Sequence, residues 1–153
     1  MPRGGFYAIH NSTIRFGRDG RWYADEQPIA NPRIARLFSQ SVHRTGEGAY
    51  ELRIAEERAP VTVDDTPYVV TGAAVDADGT AWIDLNDGSR ERLDPQTLAV
   101  GDGDVLYCRI KNGSEPARFL RAAYYQLADR IAADAGGGFV FRTAAGQFPI
   151  GRH

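Results

Sequence analysis

Val61-Thr62-Val63-Asp64-Asp65-Thr66-Pro67-Tyr68-Val69-Val70 begins and ends as β-strand, yet two carboxylates and a proline occupy its centre. Neighbouring strand residues face opposite sides of a sheet, so Asp64 and Asp65 do not form a proton-sharing or metal-gripping pair unless the strand breaks between them. With a strand read from Ala59 to Asp65, Asp65 shares the apolar side of Val61 and Val63, and Asp64 shares the other side with Thr62. A carboxylate turned inward costs several kcal/mol, on the order of the penalty for a buried ion, unless a cation meets it. Pro67 cannot donate to a ladder and ends it. The chain is therefore expected to divide here, into a lobe at 10–66 and a lobe at 67–153.

Upstream, Thr13 to Phe16 and Arg21 to Ala24 flank Gly17-Arg18-Asp19-Gly20 as a hairpin. Asn31 then reads as an N-cap and Pro32 as the first helical residue. Ile34, Leu37, Phe38 and Val42 follow at the spacing of one buried face, which predicts a helix ending near Thr45-Gly46. Strands at Ala49 to Ile54 and Ala59 to Asp65 are joined by Ala55-Glu56-Glu57-Arg58.

Downstream of Pro67, strands near Tyr68 to Val75, Thr80 to Leu85 and Arg90 to Leu93 form a meander. Its turns, Ala77-Asp78-Gly79 and Asn86-Asp87-Gly88, read as hairpin turns, because neither supplies the alternating ligands and distant Glu of a calcium loop. Asp104 to Lys111 and Ala117 to Leu120 form a further hairpin about Asn112-Gly113. A second helix carries Tyr124, Leu127, Ala128 and Ile131 on one face and ends before Gly136-Gly137-Gly138. A strand follows that triplet, so it is not a phosphate loop. Phe139 to Thr143 and Gln147 to Ile150 close the chain as strands.

The halves match in order: hairpin, helix, strand pair. Ile34, Leu37 and Phe38 fall on Tyr124, Leu127 and Ala128, and Tyr50-Glu51-Leu52-Arg53 falls near Phe139-Val140-Phe141-Arg142. The fold class is thus α+β, two similar lobes of antiparallel sheet with one helix each, an internal duplication with the meander added to the second copy. In this alignment Asn31 stands opposite Arg121, a side chain with no acceptor for a helix amide. A cation at that place opposes the helix dipole by roughly 0.3–1 kcal/mol. With Arg118 close by, the second helix start becomes a site for an anion, which Asp65 either fills as an ion-pair partner or shares with a ligand.

The formal charge of −2 argues against tracking a DNA or RNA polymer. All but one of the basic residues are Arg, Lys111 being the exception, and the single cysteine, Cys108, sits in an apolar run as a packing residue. There is no leader pattern and no apolar run of about 20 residues, so the expected location is the cytoplasm, away from membranes. No cofactor or metal signature occurs; His10, His43 and His153 are dispersed.

Val63-Asp64-Asp65-Thr66-Pro67-Tyr68, preceded by Tyr50-Glu51-Leu52 and Glu57-Arg58 and followed by Ala117-Arg118-Phe119-Leu120-Arg121 and Tyr124-Tyr125-Gln126-Leu127, resembles the bacterial DUF1285 family. Here Ile54-Ala55 stands where that family often has Thr-Pro, Arg58 where it has Lys, and Tyr68 where it has Phe. The resemblance implies a duplicated core, a C-terminal half similar to pleckstrin-homology folds, a ligand site between the halves for a nucleotide-type molecule, and a role in signalling without established enzymatic activity. The function expected is a binding or sensor module for an anionic small molecule, held by Arg58, Asp65, Arg118 and Arg121, with Tyr68 and Tyr125 as aromatic faces. The alternatives are an interaction scaffold that forms homodimers through the edge strand Gln147 to Ile150, and an acid–base enzyme using Asp64 or Asp65 near Tyr107.

Overall fold

Gly17 and Gly20 bend the chain from β1 (Ile14–Phe16) into β2 (Trp22–Ala24), and the positive φ of Gly20, 81°, is what this turn requires of it. Asp25 and Glu26, both at positive φ (51° and 63°), form a second tight turn into β3 (Gln27–Pro28), a strand with too few residues to show a period. The computed structural model describes residues 11–153, so His10, the first residue of the expected first lobe, lies outside the described residues. The chain divides between Pro67 and Tyr68 into two units, each with its own sheet.

In the first unit, Asn31 caps α1 (Pro32–Gln40), its Oδ1 accepting from the N–H groups of Arg33 at 2.9 Å and Ile34 at 3.4 Å. The helix stops at Gln40, short of Thr45-Gly46: Ser41 donates its hydroxyl to the Leu37 carbonyl (2.6 Å) and its N–H to Phe38 (3.0 Å). Val42, four residues after Phe38, fits the helical period but opens β4 (Val42–Gly46). The buried helix face is Phe38 and Ser39, while Leu37 is exposed. Trp22 explains the rotation, because its Nε1 donates to Ser39 Oγ (2.9 Å) and its ring meets Phe38 edge-on at 5.5 Å.

β5 (Ala49–Ile54) and β6 (Glu57–Val63) complete the sheet, in the order β3-β2-β1-β6-β5-β4. Their turn is only Ala55-Glu56, with Ala55 at φ 54°, so Arg58 lies within β6 opposite Arg53. β6 returns parallel to β1, with Ile14 beside Val61 and Phe16 beside Val63. It ends at Val63, two residues before the expected end, and Asp64 and Asp65 form a bend.

The second unit begins with the expected meander, β7 (Tyr68–Val75), β8 (Ala81–Leu85) and β9 (Arg90–Arg92). Its other elements are β10 (Ala99–Val100), β11 (Leu106–Ile110), β12 (Glu115–Phe119), α2 (Arg121–Leu127), β13 (Ile131–Ala133), β14 (Phe139–Thr143) and β15 (Gly146–Arg152). The sheet runs β13-β14-β15-β10-β11-β12-β7-β8-β9. α2 is shorter than expected: a 3-10 turn at Ala128–Arg130 tightens its end, and Ile131 already belongs to a strand. β15 pairs with β14 through residues 146–150 and with β10 through Gly151 and Arg152, so Gln147 to Ile150, the strand expected to serve an interaction scaffold, has its strand partner on one side.

The duplication is visible in the pairing. Each copy has three strands, a helix and three more strands, and the last strand returns parallel to the first: β6 on β1, β15 on β10. Residues correspond at one constant offset from the helix onward. Asn31 matches Leu120 at the helix cap, the pair Val42–Leu52 matches Ile131–Phe141, and Glu51–Pro60 matches Val140–Pro149. Asp64 donates its N–H to Phe16 (3.0 Å) as His153 does to Val100 (2.9 Å). The alignment of Asn31 with Arg121 is therefore corrected by one residue; Leu120 is the cap, and Arg121 is the first helical residue.

Candidate functional site

β12 alternates: Ala117 and Phe119 point into the core, and Arg118 between them points to the other face. Its register partner on β11 is Tyr107, whose hydroxyl accepts from Arg118 Nη1 at 3.3 Å. Three residues later α2 begins. Ala123 and Leu127, four residues apart, are buried, and this leaves Arg121 and Tyr125, also four apart, together on the exposed face. Gln126 fixes the helix against β7, its Oε1 accepting from the Ala73 N–H (2.7 Å) where the β7–β8 register shifts between Val70 and Gly72.

Arg118, Arg121, Tyr124 and Tyr125 line one groove of about 300 Å³, whose opposite wall comes from the Asp102–Asp104 turn and Leu106. Tyr125 is 62% exposed, and its ring centroid lies 5.7 Å from that of Tyr124. Leu120 provides no side-chain cap, as expected of this helix start. With seven residues, however, α2 sums few peptide dipoles, so the guanidinium groups and not the helix end dominate the local field.

Of the other predicted site residues, Tyr68 belongs to the second unit and Arg58 and Asp65 to the first. Tyr68 is a core residue, 8% exposed and packed with Val70, Leu106 and Ala117. Burial, with the carboxylates of Asp87 and Glu115 nearby, pushes its phenol up to about 12. Arg58, on β6 of the first unit, has an exposed side chain 3.6 Å from Glu51. Asp65 is half-buried in the bend after β6. Asp64, in the same bend, pairs with Arg15 at 2.6 Å. Asp104 and Tyr124 complete the groove and were missed as site residues. Asp104 reads in the sequence as the first residue of a strand, which begins only at Leu106, and Tyr124 fits a buried helix face.

The two copies can be compared at this face. In the first, Arg15 lies over the Tyr23 ring at 4.2 Å and is paired to Asp64 (2.6 Å) and Glu26 (2.9 Å). In the second, Ala99 takes the place of Arg15, Tyr107 that of Tyr23, and His153 that of Asp64. The His153 ring stacks on Tyr107 at 3.8 Å, and Arg118 approaches from β12 instead. Where the first copy sets a carboxylate on its arginine–tyrosine pair, the second sets an imidazole.

No helix among the described residues is long and apolar enough to cross a membrane. No curated protein matches the chain. Residues 7–66 match the N-terminal domain of DUF1285, a domain of unknown function. A DUF1285 family protein from Silicibacter pomeroyi is 23% identical, with a TM-score of 0.71 over 91% of this chain and 79% of that one. Another, from Shewanella baltica, is 19% identical, with a TM-score of 0.61 over 77% of this chain and 91% of that one. The chain thus carries the DUF1285 N-terminal domain and has the fold of solved proteins of that family.

Proposed function

We propose that the protein is a binding or sensor module whose second unit holds an anionic small molecule. One observation carries this reading: two arginines and two tyrosines line the same groove. Guanidinium forks match carboxylate and phosphate oxygens in pairs, and tyrosine rings supply a flat apolar wall with a polar tip. Arg118 is positioned by Tyr107, while Arg121 projects from an exposed helix face and is the freer of the two to follow a ligand. A nucleotide-type molecule, the form that the family resemblance implies, would set its phosphate on the arginines and its base on Tyr125.

A thermal-shift panel of nucleotides and small organic anions tests the reading. At least one anion is expected to raise the melting midpoint, and Arg121→Ala is expected to weaken its binding about 10-fold or more, the loss of a charge-assisted contact worth roughly 1.5–3 kcal/mol. Stabilisation that survives both Arg121→Ala and Arg118→Gln would sink it.

A further inference from the structure

The groove does not end at the arginines. Asp104, Leu106 and Tyr124 also line a second cavity, of about 100 Å³, whose remaining wall is apolar and includes Ile131, Phe139 and Ile150. Phe139 is 44% exposed there, a large ring left at the mouth of an apolar hollow. From end to end the surface offers cations, then one carboxylate beside a tyrosine, then hydrocarbon. That order restricts the ligand more than the cations alone do. An anion lying against Asp104 would be repelled, so the part of the ligand at the shared wall must be a hydrogen-bond donor or a cation. The part beyond it must be apolar, since nothing but hydrocarbon would receive it. Sites for drug-sized molecules run to about 300–1,000 Å³, which puts this one at the small end.

We propose that the ligand is a free α-amino acid with an apolar side chain. Its carboxylate would lie on Arg121 and Arg118, its ammonium on Asp104, and its side chain between Ile131, Phe139 and Ile150. The inference rests on the anion-binding reading and narrows it; a nucleotide satisfies the arginines but meets Asp104 only with neutral donors and brings no hydrocarbon to the wall beyond.

Titration calorimetry on the full chain with leucine, phenylalanine, 4-methylpentanoate and AMP decides the matter. Leucine or phenylalanine is expected to bind, with 4-methylpentanoate, which lacks only the ammonium, at least 10-fold weaker. Asp104 has φ 60°, a conformation asparagine also adopts, so Asp104→Asn removes the charge and leaves the turn intact. In that variant the preference for the amino acid should fall to about 3-fold or less. Equal binding of the amino acid and the plain acid, or a preference unchanged by Asp104→Asn, overturns the inference. Binding of AMP alone, lost in Arg121→Ala, overturns it while leaving the anion site standing. Heat from none of the four overturns it too, and the wider anion panel then judges the site itself.

Discussion

Lys111 shows how much one residue can do where the chain has no other of its kind. At φ 52° it opens the β11–β12 turn, its N–H donates to Glu91 (3.0 Å), its ammonium reaches Asp87 at 2.9 Å, and it lies 5.0 Å from the Tyr68 ring centre. Burial alone would raise the Asp87 carboxyl, but the Ser89 hydroxyl (2.6 Å) and Lys111 outweigh it and hold it below the ordinary carboxylate range. A carboxyl lowered on folding stabilises the native state at neutral pH, and the contribution is lost as pH falls through its native value. Asp87→Asn is therefore expected to cost about 1–2 kcal/mol at pH 7 in urea unfolding and progressively less below about pH 4. A pH-independent deficit would show that the turn geometry, not the charge, is what matters. Cys108, by contrast, does nothing but pack: burial pushes its thiol up to about 12, consistent with the packing role read from its apolar neighbours.

Among the elements, the two helices carry the clearest lesson about what a sequence discloses. The first start is legible because capping is local chemistry, Asn31 beside Pro32, whereas the second is read one residue late, at Arg121, because Leu120 offers no capping side chain to mark it. The helix ends were not legible, since one apolar residue, Val42 or Ile131, satisfies the helical period and also opens a strand. The choice was made by distant partners, Leu52 and Phe141 across the sheet. Strands bounded by Gly-containing turns are read to within about two residues at each end, whereas β3 and β10, two residues each, carry no pattern. The groove was half legible for the same reason. Arg118, Arg121 and Tyr125 sit on a strand and helix that could be placed, whereas Asp104, read as the start of a strand, sits in the turn before it. The cap itself can be tested. Asn31→Ala should lower stability by about 0.5–2 kcal/mol, and Asn31→Asp by much less, in thermal or urea unfolding; equal losses would mean that Oδ1 does not satisfy the helix amides.

At the scale of the molecule, the repeated plan decides which strands are dispensable. β15 links β14, paired to residues 146–150, with β10, paired to Gly151 and Arg152, so removing residues 146–153 is expected to unfold the second unit, seen as lost sheet signal in circular dichroism; a folded product would contradict the observed strand order. The plan also has a consequence for biosynthesis. In both copies the strand made first waits for the strand made last, because β1 takes β6, and β10 takes β15, as its parallel neighbour. Closing such long loops is slow, and until it happens the backbone groups of the waiting strands are open to any other chain. The first copy can close once residue 63 has left the ribosome, while the second must stay open until residue 152 emerges, so newly made chains are most exposed to aggregation during the second interval and a chaperone would be needed there first.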